Sequence, residues 1–136
     1  MIKFTILGQP YSKANSRKVV KIGGRSALIK SDPALEFERN ALRQIPPEAR
    51  QRLTGPVSVT LRLFYSSQRP DLDESLLLDV LQNRYASVGN GPARRRVLVQ
   101  DGVYINDRQV REKHVFHGID KSNPRAEVTV ELMVPR

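Results

Sequence analysis

The chain contains no cysteine in 136 residues. Disulfides and thiolate metal sites are thereby excluded, and a reducing compartment fits. No stretch approaches the ~18 consecutive apolar residues of a membrane span. The opening "MIKFTILGQPYSK" has an apolar run too short for a secretory signal and reads as a strand. The expectation is a soluble, cytoplasmic protein with no membrane partner. G-x-S-x-G, a Walker phosphate loop and paired cysteines are all missing, so hydrolase-fold, NTPase and zinc-finger readings have no support. Histidine is scarce. The two present, His114 and His117, stand three apart in a predicted strand and face opposite sides of it, so they are not expected to share an ion. No internal repeat or low-complexity tract occurs.

Acid is scarce as well. Asp and Glu number 14 against 23 Lys and Arg, a net charge of +9 with pI near 10.4. Such an excess favours a polyanionic partner, nucleic acid above all. A generally basic soluble protein would carry the same total. The distribution separates the two: the cations gather in "SKANSRKVVK", "GGRSALIK" and "ARRR", turn-rich segments suited to phosphate contact.

Hydrophobic residues make up 39% of the chain, enough for one modest core. A single domain over residues 1–136 is expected. Alternation predicts strands at 2–7, 57–65 and 126–134, with Val57, Val59, Leu61 and Leu63 on one face and Val128, Val130 and Leu132 on another. "KVVKI" and "SALIK" around "GGR" predict a hairpin. "SDPALEFERNALRQI" predicts a helix with Asp32 as N-cap, Pro33 at its first position, and Leu35, Phe37, Ala41, Leu42 and Ile45 inward. Residues 46–56 read as a linker that can hold a turn of helix. A second helix is expected over about 72–84, with Leu76, Leu77, Val80 and Leu81 inward. "ASVGNGPARRR" reads as an exposed loop, "VLVQDGVYIND" as one or two short strands, and "RQVREKHVFHG" as another strand. The class is α+β, a mixed sheet with helices packed on it.

The second helix opens in "RPDLDESLLLDVL", residues 69–81. Asp71 and Asp73 lie two apart where a strand gives way to a helix. Two readings fit. Asp71 as N-cap with Glu74 at N3 makes a capping box, and Asp73 favours the positive helix end. Alternatively, the pair projects from the sheet end as ligands for a hard divalent cation such as Mg²⁺, which takes carboxylate, water and phosphate oxygens. Asp107, in "YINDRQV", is a candidate third ligand.

"RPDLDESLLLDVL", "DGVYINDRQVREKHVFH" and "PRAEVTVEL" resemble the RusA family of phage-type Holliday-junction resolvases over most of the chain, with "GQPYSKANSRK" a further, less specific likeness. The resemblance implies a homodimeric Mg²⁺-dependent endonuclease, with Mn²⁺ able to substitute, that resolves four-way and related branched DNA by paired nicks in recombination and repair. It assigns catalysis and metal binding to Asp71, Asp73 and Asp107. The metal would polarise the scissile phosphate and activate the attacking water, leaving ligatable 5′-phosphate ends. Lys13, Asn15, Arg17 and Lys18 become a phosphate clamp rather than an ordinary solvated loop. Arg94, Arg95 and Arg96 are candidate DNA contacts from the basic pattern alone. Two departures stand out. Asn106 replaces the first acid of the family's D-D-x-Q-V signature, and Leu77 falls near the place of its catalytic lysine. Arg69, Lys113 and Lys121 are the candidates for the missing charge, and Asp101, in the inserted segment before the signature, is a supplementary acid. The alternative is a non-catalytic basic DNA-binding protein that kept the resolvase fold.

Overall fold

The computed structural model describes residues 1–10, 17–68 and 73–134. Its centre is β4 (Val57–Tyr65), whose strict alternation buries Val57, Val59, Leu61, Leu63 and Tyr65 and leaves Arg62 in solvent. A strand with one buried face has its register fixed by that pattern, since a one-residue slip would turn the whole apolar set outward. Around β4 the sheet runs in the order β1-β8-β4-β7, with β1 at Ile2–Leu7, β7 at Val110–Ile119 and β8 at Arg125–Leu132. β8 is antiparallel to β1 and β4; β7 is parallel to β4, which makes the sheet mixed. The fold is α+β, as expected. Val128 and Val130 are buried, but Leu132, expected beside them, is half exposed at the sheet's end.

The helix α1 (Asp32–Gln44) contributes Ala41 and Ile45 to the core, with Phe37 and Leu42 packed at its margin. Its N-cap is Ser31, not Asp32: Ser31 Oγ accepts from Ala34 N at 3.3 Å, the N3 donor that a capping hydroxyl reaches. Asp32 moves to the first helical position, where its charge faces the helix dipole favourably, and Pro33 to the second. Residues Pro47–Ala49 form the expected helical turn of the linker.

The second helix, α2 (Ser75–Val80), is only half the expected length. Leu76, Leu77, Val80 and Leu81 are buried as the pattern required. The helix stops because tertiary partners claim its last backbone groups. Leu81 O accepts from Val103 N at 2.8 Å, and Asn83 N donates to Tyr104 O at 3.1 Å. Gly102 passes so close to this junction that a Cβ would stand 2.3 Å from Gln82 C, so only glycine fits.

Two hairpins stand outside the main sheet. β2 (Arg17–Ile22) and β3 (Arg25–Lys30) pair with each other around Gly23 and Gly24, as the sequence predicts. The segment expected to be an exposed loop is mostly a second hairpin, β5 (Arg84–Val88) with β6 (Arg95–Gln100). Its turn needs Gly89, which has φ +85° and would put a Cβ 2.6 Å from Ala93 O. Among the described residues, no helix is long and apolar enough to cross a membrane.

Candidate functional site

The expected site residues distribute around α2. Asp73 precedes the helix and is half buried; its two oxygens accept from Ser75 N at 3.2 Å and Ser75 Oγ at 2.7 Å. It thus does the local turn-closing work that the capping reading gave to Asp71. The N-cap position itself falls on Glu74, which makes no side-chain cap. Glu74 instead accepts from Lys113 Nζ at 2.5 Å, which brings a β7 cation to the residue beside Asp73. Of Arg69, Lys113 and Lys121, Lys113 is therefore the one the described residues place next to Asp73. Leu77 is buried in the core. Lys121 is exposed in the β7–β8 turn, whose Asp120 N donates to Tyr65 O at the end of β4. Asp71, Arg69, Lys13 and Asn15 lie outside the described residues, as does the side chain of Arg17.

Asp107 meets α2 from its other end. Its backbone N donates to Gln82 Oε1 at 3.0 Å, while Gln82 Nε2 donates to Asp79 Oδ1 at 2.7 Å. Gln82 therefore tethers Asp107 and Asp79 to one helix end. The Asp107 carboxylate is exposed and accepts no hydrogen bond among the described residues, so its oxygens are open to a ligand. Beside it, Asn106 serves the backbone: its side chain accepts from Arg108 N at 2.9 Å and caps the short 3-10 turn Asp107–Gln109. Gln109 completes that capping box, accepting from Ile105 N and Asn106 N and donating to Leu53 O and Gly55 O. Asn106 thus has a capping duty here, which an amide oxygen performs.

Asp79, an acid inside the apolar run "SLLLDVL", is a further carboxylate at α2. It accepts from Lys30 Nζ at 3.1 Å. Asp79 and Asp107 both bear on the buried Tyr104, whose hydroxyl donates to Leu78 O at 2.6 Å. Burial first, then those two carboxylates, pushes the Tyr104 phenol far above its ordinary value, so it stays protonated. Asp101 is drawn to Arg52, 3.6 Å away, and its carbonyl accepts from Arg50. Among the described residues, no three histidine or acidic side chains gather at one point. His114 pairs with Glu112 and His117 lies against Tyr65, in keeping with their separate faces.

No family model matches the chain, and no curated protein matches it in sequence. The site is accordingly read from its own chemistry. The donors around α2 are carboxylate oxygens, with Asp107 the most open of them. A hard cation that keeps several waters, such as Mg²⁺, fits such donors better than zinc, which favours nitrogen and sulfur.

The candidate phosphate contacts divide into free and committed cations. Arg94, Arg95 and Arg96 are exposed on the β5–β6 hairpin. The side chains of Arg94 and Arg95 make no ion pair among the described residues, whereas Arg96 lies over the Tyr85 ring at 4.5 Å. Lys18 is paired with Asp32 at 2.8 Å and holds that carboxyl below the usual range.

Proposed function

We propose that this protein is a metal-dependent, structure-specific DNA endonuclease that cuts four-way junctions, working as a homodimer in the cytoplasm with Mg²⁺ or Mn²⁺. The observation that carries the proposal is the meeting of acid and base at α2. In a chain of net charge +9, Asp73, Asp79 and Asp107 surround one short helix, and the acid-free hairpins are rooted beside it through Lys30 and Arg84. Asp73, the second acid of the D-x-D, precedes that helix, and the N-D-x-Q-V turn is tethered to its far end through Gln82. Asp71, Asp73 and Asp107 are the residues that the resemblance puts forward to hold the ion; Asp73 and Asp107 stand at opposite ends of α2, and among the described residues no three acids meet, so the ion would have to draw its ligands together. A bound divalent ion would supply charge to the scissile phosphate and a more acidic water. The chain's own part is positional. Gln82 holds the turn that presents Asp107, Ser75 orients Asp73, and Lys113, paired with Glu74, is the cation that would offset phosphate charge next to Asp73. The basic hairpins hold the phosphates of the DNA arms.

A synthetic four-way junction incubated with and without Mg²⁺ tests the reading. Paired nicks that need the ion are expected. Asp73→Asn should leave junction binding intact and slow cutting by about a hundredfold or more, the scale of a lost metal contribution of several kcal/mol. Cutting at the wild-type rate would return Asp73 to its turn-closing role alone. Buried Leu77 favours a second reading, a DNA-binding protein without nuclease activity, which predicts tight junction binding and no nick at any Mg²⁺ concentration.

A further inference from the structure

The two hairpins share one buried anchor. Glu38 lies in the middle of α1 at 5% exposure. Its Oε2 accepts from Lys30 Nζ at 2.6 Å, and its Oε1 accepts from the Arg84 guanidinium. Lys30 is the last residue of β3, and Arg84 is the first of β5. A buried carboxylate is tolerated only when it is paired, so both roots are held firmly to one point. Lys30 adds the bond to Asp79, which ties the anchor to α2. Beyond these roots, neither hairpin packs broadly against another strand or helix among the described residues. Val19, Ile22 and Leu28 on one hairpin and Val97 and Val99 on the other reach solvent. Their charge is one-sided. Residues 1–31 carry seven Lys and Arg, residues 80–100 carry four, and neither segment contains an acid.

We infer that the hairpins are the two arms of one grip for DNA that bends or branches, and that Glu38 is the positioning residue that fixes the angle between them. The inference rests on the DNA reading above. Charge complementarity names the occupant, because acid-free basic ribbons suit a polyanion, and a two-stranded ribbon fits the major groove of duplex DNA. One arm suffices to hold a straight duplex, since phosphate contacts orient the protein without reporting shape or sequence. Two arms fixed to one carboxylate are filled together only by two duplex segments set at a matching angle, as at a junction.

The absence of cysteine allows a direct test. Ile22→Cys and Asn90→Cys, one at each hairpin tip, give a protein with two spin labels and no others. A narrow tip-to-tip distance distribution is expected, broadened by Glu38→Gln. The ratio of junction to linear-duplex affinity, read by fluorescence anisotropy at fixed salt, should fall about tenfold in Glu38→Gln. Arg84→Gln frees the β5 root alone and leaves Glu38 paired with Lys30, so it serves in place of Glu38→Gln if that variant does not fold, with the same fall expected. An unchanged affinity ratio in a folded variant overturns the inference, whatever the distances do. A wild-type protein that binds neither junction nor duplex overturns instead the DNA reading beneath it.

Discussion

Asn106 and Asp107 are neighbours with opposite duties, and substitution should separate them. Asn106 caps a turn, so Asn106→Ala should lower unfolding stability by about 1 kcal/mol, as lost caps do, while a correctly folded fraction retains its cutting rate. Among the described residues Asp107 bonds only through its backbone, so Asp107→Asn should melt within about 0.5 kcal/mol of wild type yet lose Mg²⁺-dependent cutting. Chemical denaturation beside a single-turnover nicking assay checks both; a cutting loss in the Asn106 variant, or none in the Asp107 variant, would reverse the assignment. Tyr104 carries a pH prediction. Its folded pKa is raised above the ordinary 10.0, so above pH 10 the unfolded chain releases a proton that the folded one keeps. Its contribution to stability is therefore full below pH 10 and falls as pH rises, by about 1.4 kcal/mol per unit. Tyr104→Phe should start less stable, having lost the bond to Leu78 O, but show a shallower decline between pH 10 and 11. Parallel slopes would mean that the phenol ionises freely in the folded state.

At the scale of elements, α2 and the β5–β6 hairpin explain each other. α2 is short because residues 81–83 turn their backbone to 102–104, and that turn frees Arg84 to begin a strand. The hairpin then carries Arg94, Arg95 and Arg96 away from the core. Replacing all three with alanine should weaken junction binding without altering the cutting rate of fully bound DNA. The dependence of log K on log salt should become shallower by up to about 2.7 if all three touch phosphate. Binding isotherms at several salt concentrations, with single-turnover cleavage at saturating enzyme, decide the matter. An unchanged affinity would make the triplet ordinary surface charge. A lost rate on bound DNA would place it at the reacting phosphate.

For the whole molecule, charge sets the expected behaviour. Six or so phosphate contacts would give a slope of log K against log salt of about −5. A slope near zero would show that the basic hairpins do not meet DNA. The sheet supports this division of labour. Its β4 row is fixed by a buried apolar face, where truncating Leu61 to alanine would cost about 2–5 kcal/mol, so the carboxylates and cations occupy its ends, flanks and outlying hairpins.

Period and composition are local properties, and the features they govern are legible in the sequence. The alternation of 57–65 determines β4 and its buried face, "KVVKI–GG–SALIK" determines the first hairpin, and the charge balance points to a polyanion. Asp107 stands out in the sequence as an acid in a turn-rich segment, although its open carboxylate does not. What the tertiary structure decided are the partners of polar groups, which sequence spacing does not encode. Glu38 looks like a solvated helix residue until two cations from distant strands converge on it. α2 reads as a longer helix until Val103 takes the Leu81 carbonyl. The arginine segment reads as a loop from its glycines and proline, and becomes a hairpin because its flanks find each other across the turn. In each case a buried or interrupted hydrogen-bonding group must be satisfied, and the group that satisfies it comes from a separate part of the chain.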